Sequence, residues 1–392
     1  MDTQKLKQEI IDYSKTIGID KIGFTTADPF LSLKARLYQQ QMLGYQSGFE
    51  PKDIEKRVDP SLNLEGAASI IAIGLAYPAK LSPKPSNTKE SRRGSFSRAS
   101  WGTDYHVILR DRLSKLEAFI LEKVPTAQLK SMVDTGDLSD RAVAERAGLG
   151  VVGKHTNLIT KEFGSYLYLG EMLTSIPFPP DSPIEDLCGS CTLCIDTCPT
   201  DALVQGGQLN AQKCIAFLTQ KKTSIAEPYR KAIGNRVYGC DTCQQVCPYN
   251  KGIDVHHHAE MEPDPEKVKP KLKSLLFINN RTFKETFGEM AGSWRGRKPI
   301  QRNAVLALGN YKDQTAIPDL KKLLQTDPRP ELREATIWSL GKIAEGHQVE
   351  RLKIEGILGA HQLIETDERV LKELRKCLLK LHQSQTSLIS EE

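Results

Sequence analysis

Four cysteines fall within eleven residues, at Cys188, Cys191, Cys194 and Cys198, and Pro199 follows the last. Three more, Cys240, Cys243 and Cys247, are again closed by a proline, Pro248. Thiols at this density have to be bridged or ligated, so they restrict the fold more than any other feature of the chain. Disulfide frameworks belong to small secreted domains. This chain has 392 residues, 39% hydrophobic and 26% charged, enough for two or three ordinary cores, and metal ligation is the expected use of the thiols.

The first run reads C-x2-C-x2-C-x3-C-P, the spacing of bacterial ferredoxins with two [4Fe-4S] clusters. There, three thiolates wrap one corner of a cubane, and the fourth, turned by the proline, ligates the other cluster. The second run, C-x2-C-x3-C-P, leaves one ligand of eight missing, and Cys214 supplies it. The expected ligands are Cys188, Cys191, Cys194 and Cys247 for one cluster and Cys198, Cys214, Cys240 and Cys243 for the other. A pair of zinc sites is the alternative, but zinc takes separated C-x2-C knuckles and has no use for this run. Cys377 sits in the apolar pattern of VLKELRKCLLKL and is expected to be a buried helix residue.

Residues 1–180 alternate helical and strand-like patterns and read as an α+β domain. LKQEIIDYSKTIG and DYHVILRDRLSKLEAFILEKV are amphipathic helices, SIIAIGLAYP and LKSMVD are strands, and SDRAVAERAGLG starts at a Ser139 cap. The polar stretch from Ala79 to Ser100 reads as a long loop and a lid over a site. Residues 181–255 form the cluster-bearing module and residues 256–293 a basic linker, with His256, His257 and His258 expected in an exposed loop. Residues 294–392 are helical: IQRNAVLALGN and LREATIWSLGK align thirty-two residues apart, which resembles HEAT-like repeats. No apolar run reaches eighteen residues, and the N-terminal helix carries acids and no h-region, so a membrane span and a signal peptide are not expected and a cytoplasmic location is.

GLGVVGK, from Gly148, matches G-x-G-x-x-G, but a helix precedes it and an extended stretch follows, the reverse of a dinucleotide site. The glycines are expected to admit a flat cofactor. The pieces VDTGDLSDRAVAERAGLGVVGKHTNLIT, FGSYLYLGEMLT, CGSCTLCIDTCPTDAL, YGCDTCQQVCPYN and QRNAVLALGN together resemble the epoxyqueuosine reductases, over essentially the whole chain. That resemblance implies reduction of the epoxide of epoxyqueuosine, at the wobble position of tRNA, to queuosine. It implies cobalamin beside the two [4Fe-4S] clusters, and a nitroreductase-like cobalamin domain. The alternative of the same chemistry is a corrinoid reductase of a small molecule, like the reductive dehalogenases; an electron carrier and a zinc-stabilised RNA-binding module are further alternatives.

By the resemblance, Asp134 is the proton donor, and burial against the corrin is expected to raise its pKa. On its residues alone it also suits a turn cap, with Asp137 and Asp140 as neighbours. Corrinoid contacts carried over from the family are Arg57, Ser97, Asp134, His155, Asn157, Leu158 and Leu169; the family often has Asn where His155 stands. DYHVIL only approaches the cobalt-ligating D-x-H-x-x-G, since Leu109 replaces the glycine, so no histidine ligand is expected. From Pro270 to Arg302 there are eight Lys/Arg and two acids, a local excess above the whole chain's +5. A tRNA anticodon stem-loop is the expected partner, with Lys221, Lys222, Asn280, Arg281, Lys284, Arg295, Arg297, Lys298 and Arg302 on its phosphates. An unidentified low-potential electron donor and a monomeric state complete the expectations.

Overall fold

SIIAIGLA is β-branched and apolar on both faces, which suits only a strand covered on both sides. In the computed structural model, which describes residues 2–389 and side chains as far as residue 383, every residue of this strand is buried. It is β2, Ser69–Ala76, in a four-stranded antiparallel sheet with β1, Lys21–Thr26, β3, Leu129–Met132, and β4, Leu167–Thr174, in the order β1-β2-β4-β3. Alternation then sorts the side chains. Ile71, Ile73, Leu75, Tyr168 and Met172 face α1, Thr3–Thr16, and α4, Tyr105–Lys123. Ile70, Ala72, Leu173 and Met132 face α5, Asp140–Arg146, with α2, Leu31–Met42, and α3, Ile54–Val58, extending that layer. The α+β reading of this region holds.

The chain packs as two compact units whose segments interleave. The first contains Met1–Lys80, Arg98–Cys214 and Asp241–Pro263; the second contains Leu81–Ser97, Ile215–Cys240 and Asp264–Glu392. The four consecutive segments of the sequence reading therefore do not each close on themselves. The stretch expected to be a lid is built into the second unit instead. Arg93, 7% exposed, forks onto Glu266 with two bonds of 2.9 Å and also donates to the carbonyls of Lys269 and Ser86. The short strand Ser95–Phe96 pairs with Arg236–Tyr238. Arg93 and this strand anchor the C-terminal part of the segment, while residues 82–90 are mostly exposed.

The repeats occupy the second unit as α6, Arg297–Asn310, α7, Ile317–Thr326, α8, Pro330–Gly346, α9, Gln348–Gln362, and α10, Glu368–Ile389. The equivalence seen in the sequence has a packing cause. A Cβ on Gly309 would lie 2.7 Å from Ser339 Oγ of α8, and one on Gly341 would lie 2.5 Å from Cys377 Sγ of α10. Each repeat thus uses its glycine to bring the next first helix close. Cys377 is 8% exposed, the buried helix residue expected. No described helix is long and apolar enough to cross a membrane.

Candidate functional site

β3 ends at Met132, and the chain turns back through Asp134 in the left-handed region, φ 50°. Asp tolerates that conformation better than most residues because its short carboxyl bonds locally. Here the Asp134 N–H donates to Asp140 Oδ2 at 2.9 Å, and Arg110 of α4 reaches Thr135 Oγ1 at 3.3 Å. The turn is gripped from both layers of the domain.

Facing it is the first turn of α4. Asp104 caps this helix by accepting the His106 N–H at 3.0 Å, and its carboxylate lies 2.7 Å from His106 Nδ1. His106 Nε2 lies 3.3 Å from Asp134 Oδ2. The imidazole is thus clasped between two carboxylates. Bonds to Asp104 first and Asp134 second push its pKa up to about 9. Asp134 is pushed down, chiefly by His106 against the opposing effect of burial, with help from the Tyr105 hydroxyl. The fold by itself does not raise this carboxyl; the expected rise belonged to burial against a corrin. Asp134 is 58% exposed, so desolvation is too weak to hold its proton, and near neutrality the pair carries that proton on the imidazole. Behind the turn, burial and then the nearby Asp134 charge raise Asp140 to about 6.

The residues carried over as corrinoid contacts divide. Leu158, Leu169 and the Val58 neighbour of Arg57 share the apolar cluster on the α5 side of the sheet. His155 is 3% exposed; its Nδ1 accepts the Asn157 N–H at 3.2 Å, and its Nε2 is buried without a partner. Burial pushes its pKa down to about 4, so it is neutral. Arg57 Nε is likewise buried and unpartnered. Between His155 and Asn157, the β-branched Thr156 is held at φ 68°, its carbonyl taking a bond from Arg141. Strain at Thr156 beside the orphaned His155 nitrogen, and a second orphaned nitrogen on Arg57 of α3, fit residues that would meet a polar ligand. Ser97 belongs to the second unit, where its N–H donates to Tyr238. The glycines of GLGVVGK admit protein instead of cofactor: a Cβ at Gly148 would meet Ser182 O at 2.6 Å, and one at Gly150 would meet Ile159 O at 2.4 Å.

In the cysteine-rich segment the short helices Leu193–Asp196, which contains Cys194, and Thr242–Gln245, which contains Cys243, pack together. Burial, then neighbouring thiols, raise both Cys194, which senses Cys188 and Cys247, and Cys247, which senses Cys188 and Cys191. The four thiols expected on one cubane therefore converge. Backbone N–H groups point at sulfur, from Lys154 to Cys188 at 3.4 Å and from Ala202 to Cys198 at 3.3 Å, as suits thiolates that stay charged on a cluster. Cys214 and Cys243 are half-buried in the first unit, and Cys240 closes a segment of the second. His256 and His257 are exposed in a loop, as expected, but His258 is buried. His258 is 5% exposed and, with His257, contacts Asp20 at 2.6 Å, while His256 lies 2.8 Å from Glu262. Carboxylates at the start of β1 and in the loop capture them. Among the described residues, no three His, Cys, Asp or Glu side chains are placed to share one metal ion.

Of the basic residues, Lys222, Arg281, Lys284 and Lys298 are exposed and Lys221 half-buried. Arg281 pairs with Glu285 at 2.8 Å, Arg297 Nε donates to exposed Asn280 at 2.6 Å, and Arg295 lies over the Trp294 ring, 4.8 Å from its centroid. Arg302 is a correction. It is 3% exposed and spends its guanidinium on the carbonyls of Leu218, Lys221 and Thr223 and on Asn303, so it cannot reach a phosphate. It instead ties down the loop that presents Lys221 and Lys222. Sequence reasoning missed His106, Tyr105 and Glu171 as site residues and missed the half-exposed Trp294. His106 was visible only as a failed cobalt ligand, because its partner lies twenty-eight residues away.

Three family models match the chain. The 4Fe-4S double cluster binding domain covers residues 187–250, epoxyqueuosine reductase QueG, DUF1730, covers residues 57–135, and HEAT repeats cover residues 295–354. An epoxyqueuosine reductase of Bacillus anthracis is 63% identical over 378 residues, 96% of this chain and 98% of that one. A crystal structure of epoxyqueuosine reductase with an epoxyqueuosine-modified tRNA-Tyr stem loop is 57% identical, with TM-score 0.92 over 96% of this chain and 99% of the other. The Bacillus subtilis epoxyqueuosine reductase, solved with its Asp134 catalytic loop swung out of the active site, is 56% identical at TM-score 0.92, with 96% and 99% covered. The chain carries a [4Fe-4S] double-cluster domain and a HEAT-repeat region, and it belongs to the epoxyqueuosine reductase family of oxidoreductases.

Proposed function

We propose that this chain reduces the epoxide of epoxyqueuosine at the tRNA wobble position to the alkene of queuosine. Loss of the oxygen as water takes two electrons and two protons. Cobalamin, when bound, supplies low-valent cobalt as the strong reductant this step needs. Arg57, His155, Asn157, Leu158 and Leu169 would hold it in the first unit, and Ser97 is a further contact from the family pattern. The electrons enter from a low-potential donor through two cubanes, on Cys188, Cys191, Cys194 and Cys247 and on Cys198, Cys214, Cys240 and Cys243.

The protein's own part is the proton. His106 carries it, Asp134 orients it and presents it at the turn, and Asp104 keeps the imidazole charged and aimed. Asp134, a carboxylate at rest, takes this proton from His106 as it hands it to the departing oxygen, and solvent supplies the second. This acid pair, built on a turn in the left-handed region, is the observation that carries the reading. Lys221, Lys222, Asn280, Arg281, Lys284, Arg295, Arg297 and Lys298 position the stem-loop through its phosphates while the modified base leaves its stack. The exposed ring of Trp294 offers such a base a stacking surface. A reductase of a small organohalide would have no use for this basic stretch. The test is reconstitution with iron, sulfide and cobalamin, a low-potential reductant, and tRNA bearing the epoxide. Queuosine is the expected product, and its absence from fully loaded enzyme rejects the reading.

A further inference from the structure

Glu171 stands in the middle of β4, opposite Ala72 of β2 and Met132 of β3. Alternation turns it toward α5, and it is 1% exposed. Neither of its oxygens accepts from an N–H or hydroxyl donor; the side chain it meets is the carboxyl of Asp140. An ionised carboxylate left so deep without a donor costs several kcal/mol. Its polar neighbours are themselves carboxyls, Asp140 and then Asp134, and together with burial they hold its pKa well above the ordinary range. Two ionised carboxylates cannot bond to each other; a proton on one makes the other its acceptor. Asp140 already acts as an acceptor, since its Oδ2 takes the Asp134 N–H at 2.9 Å.

We propose that Glu171 is a positioning residue: as a neutral acid it donates its proton to Asp140, and so holds Asp140 as the acceptor that grips the Asp134 amide and keeps the turn in place. The role rests on the reading of Asp134 as the group that presents the proton. The remaining charges near this chain of carboxyls are Arg141 of α5, which acts on Asp140 and Asp134, and His106 of α4, which pairs with Asp134. The strand neighbours Ala72 and Met132 bring none. Once Glu171 ionises, a further negative charge faces Asp140, the pair repels, and the grip on Asp134 is lost as pH rises.

Two variants of the reconstituted holoenzyme test this. In Glu171→Gln an amide N–H replaces the acid O–H; Glu171→Leu fills the space and donates nothing. The wild type is expected to show the infrared carbonyl band of a neutral carboxylic acid at neutral pH, and both variants to lack the part due to Glu171. Amide exchange at Asp134 should quicken in Glu171→Leu and stay slow in Glu171→Gln. Turnover of the modified stem-loop should fall on the order of 100-fold in kcat with KM unchanged in Glu171→Leu, and Glu171→Gln should recover it. An undiminished acid band in Glu171→Gln, or fast amide exchange at Asp134 in that variant, overturns the proposal even if Glu171→Leu does not fold. The band and the exchange report on Glu171 whether or not epoxyqueuosine is the substrate, so failure of the functional reading would show separately, as wild-type enzyme that makes no queuosine.

Discussion

In the second unit Arg230, 4% exposed, divides its guanidinium between Glu334 and Glu373, and Arg333 forks onto Glu365 with bonds of 2.7 and 2.8 Å. Burial works against the Glu365 charge, yet Arg333 holds it down to about 2. In the first unit Glu171, equally deep, has no donor at either oxygen, and Arg57 keeps a buried nitrogen without a partner. Even where the second unit leaves a buried atom unmatched, as in Asp313 or His361, the same side chain has another partner. The contrast separates two uses of buried charge. Paired charges that tie the repeat helices to a neighbouring short helix and loop fix their packing, since a slip would strand them. Unmatched groups around a reaction site are held ready for a proton or a ligand, and the surrounding sheet and helices supply the stability they forgo.

The sharpest way to break this comparison is to remove one acid from the first unit without disturbing its shape. Asn also tolerates the left-handed conformation, so Asp134→Asn should keep the turn, the clusters and tRNA affinity while kcat falls on the order of 10²–10⁴-fold. Steady-state turnover of epoxyqueuosine tRNA measures it, and full activity would mean the proton comes from elsewhere. Next is Arg230→Ala, which leaves Glu334 and Glu373 buried and unpaired. It should destabilise the protein by about 3–5 kcal/mol in chemical denaturation, with the iron–sulfur absorption of the native state unchanged; a negligible loss would show that the repeats do not depend on paired charge.

His106 sharpens the contrast through pH. Its folded pKa is raised to about 9, so its contribution to stability is complete below the ordinary value near 6.5 and is lost as pH rises through 9. Asp104 and Asp134, both lowered, lose theirs only as pH falls below the ordinary carboxylate range. His106→Asn should therefore be less stable than wild type at pH 6 and converge on it above pH 9, in denaturant midpoints read across that window. The smallest effect belongs to an exposed residue of the second unit. Lys222→Ala should weaken stem-loop binding modestly and reduce the slope of log affinity against log salt by about 1; an unchanged slope removes Lys222 from the phosphate path.

What the chain order of residues determined by itself was everything that depends on short spacing. The x2, x2, x3 rhythm of cysteines, the all-apolar run that became β2, the Asp104 and Ser139 helix starts and the repeated glycines of the HEAT-like helices all act over a few bonds or one helical turn. Their chemistry follows from local geometry alone, and each is seen in the fold. What only the tertiary structure decided were the partnerships across long loops. His106 meets Asp134, Glu171 meets Asp140, Arg302 turns inward while Lys222 turns out, and the expected lid closes into the second unit. A charge in a sequence has no stated environment. Whether it is a phosphate contact, a buried strut or a proton carrier depends on how much water the fold removes and which opposite charge it brings near, and those are set only when distant segments pack.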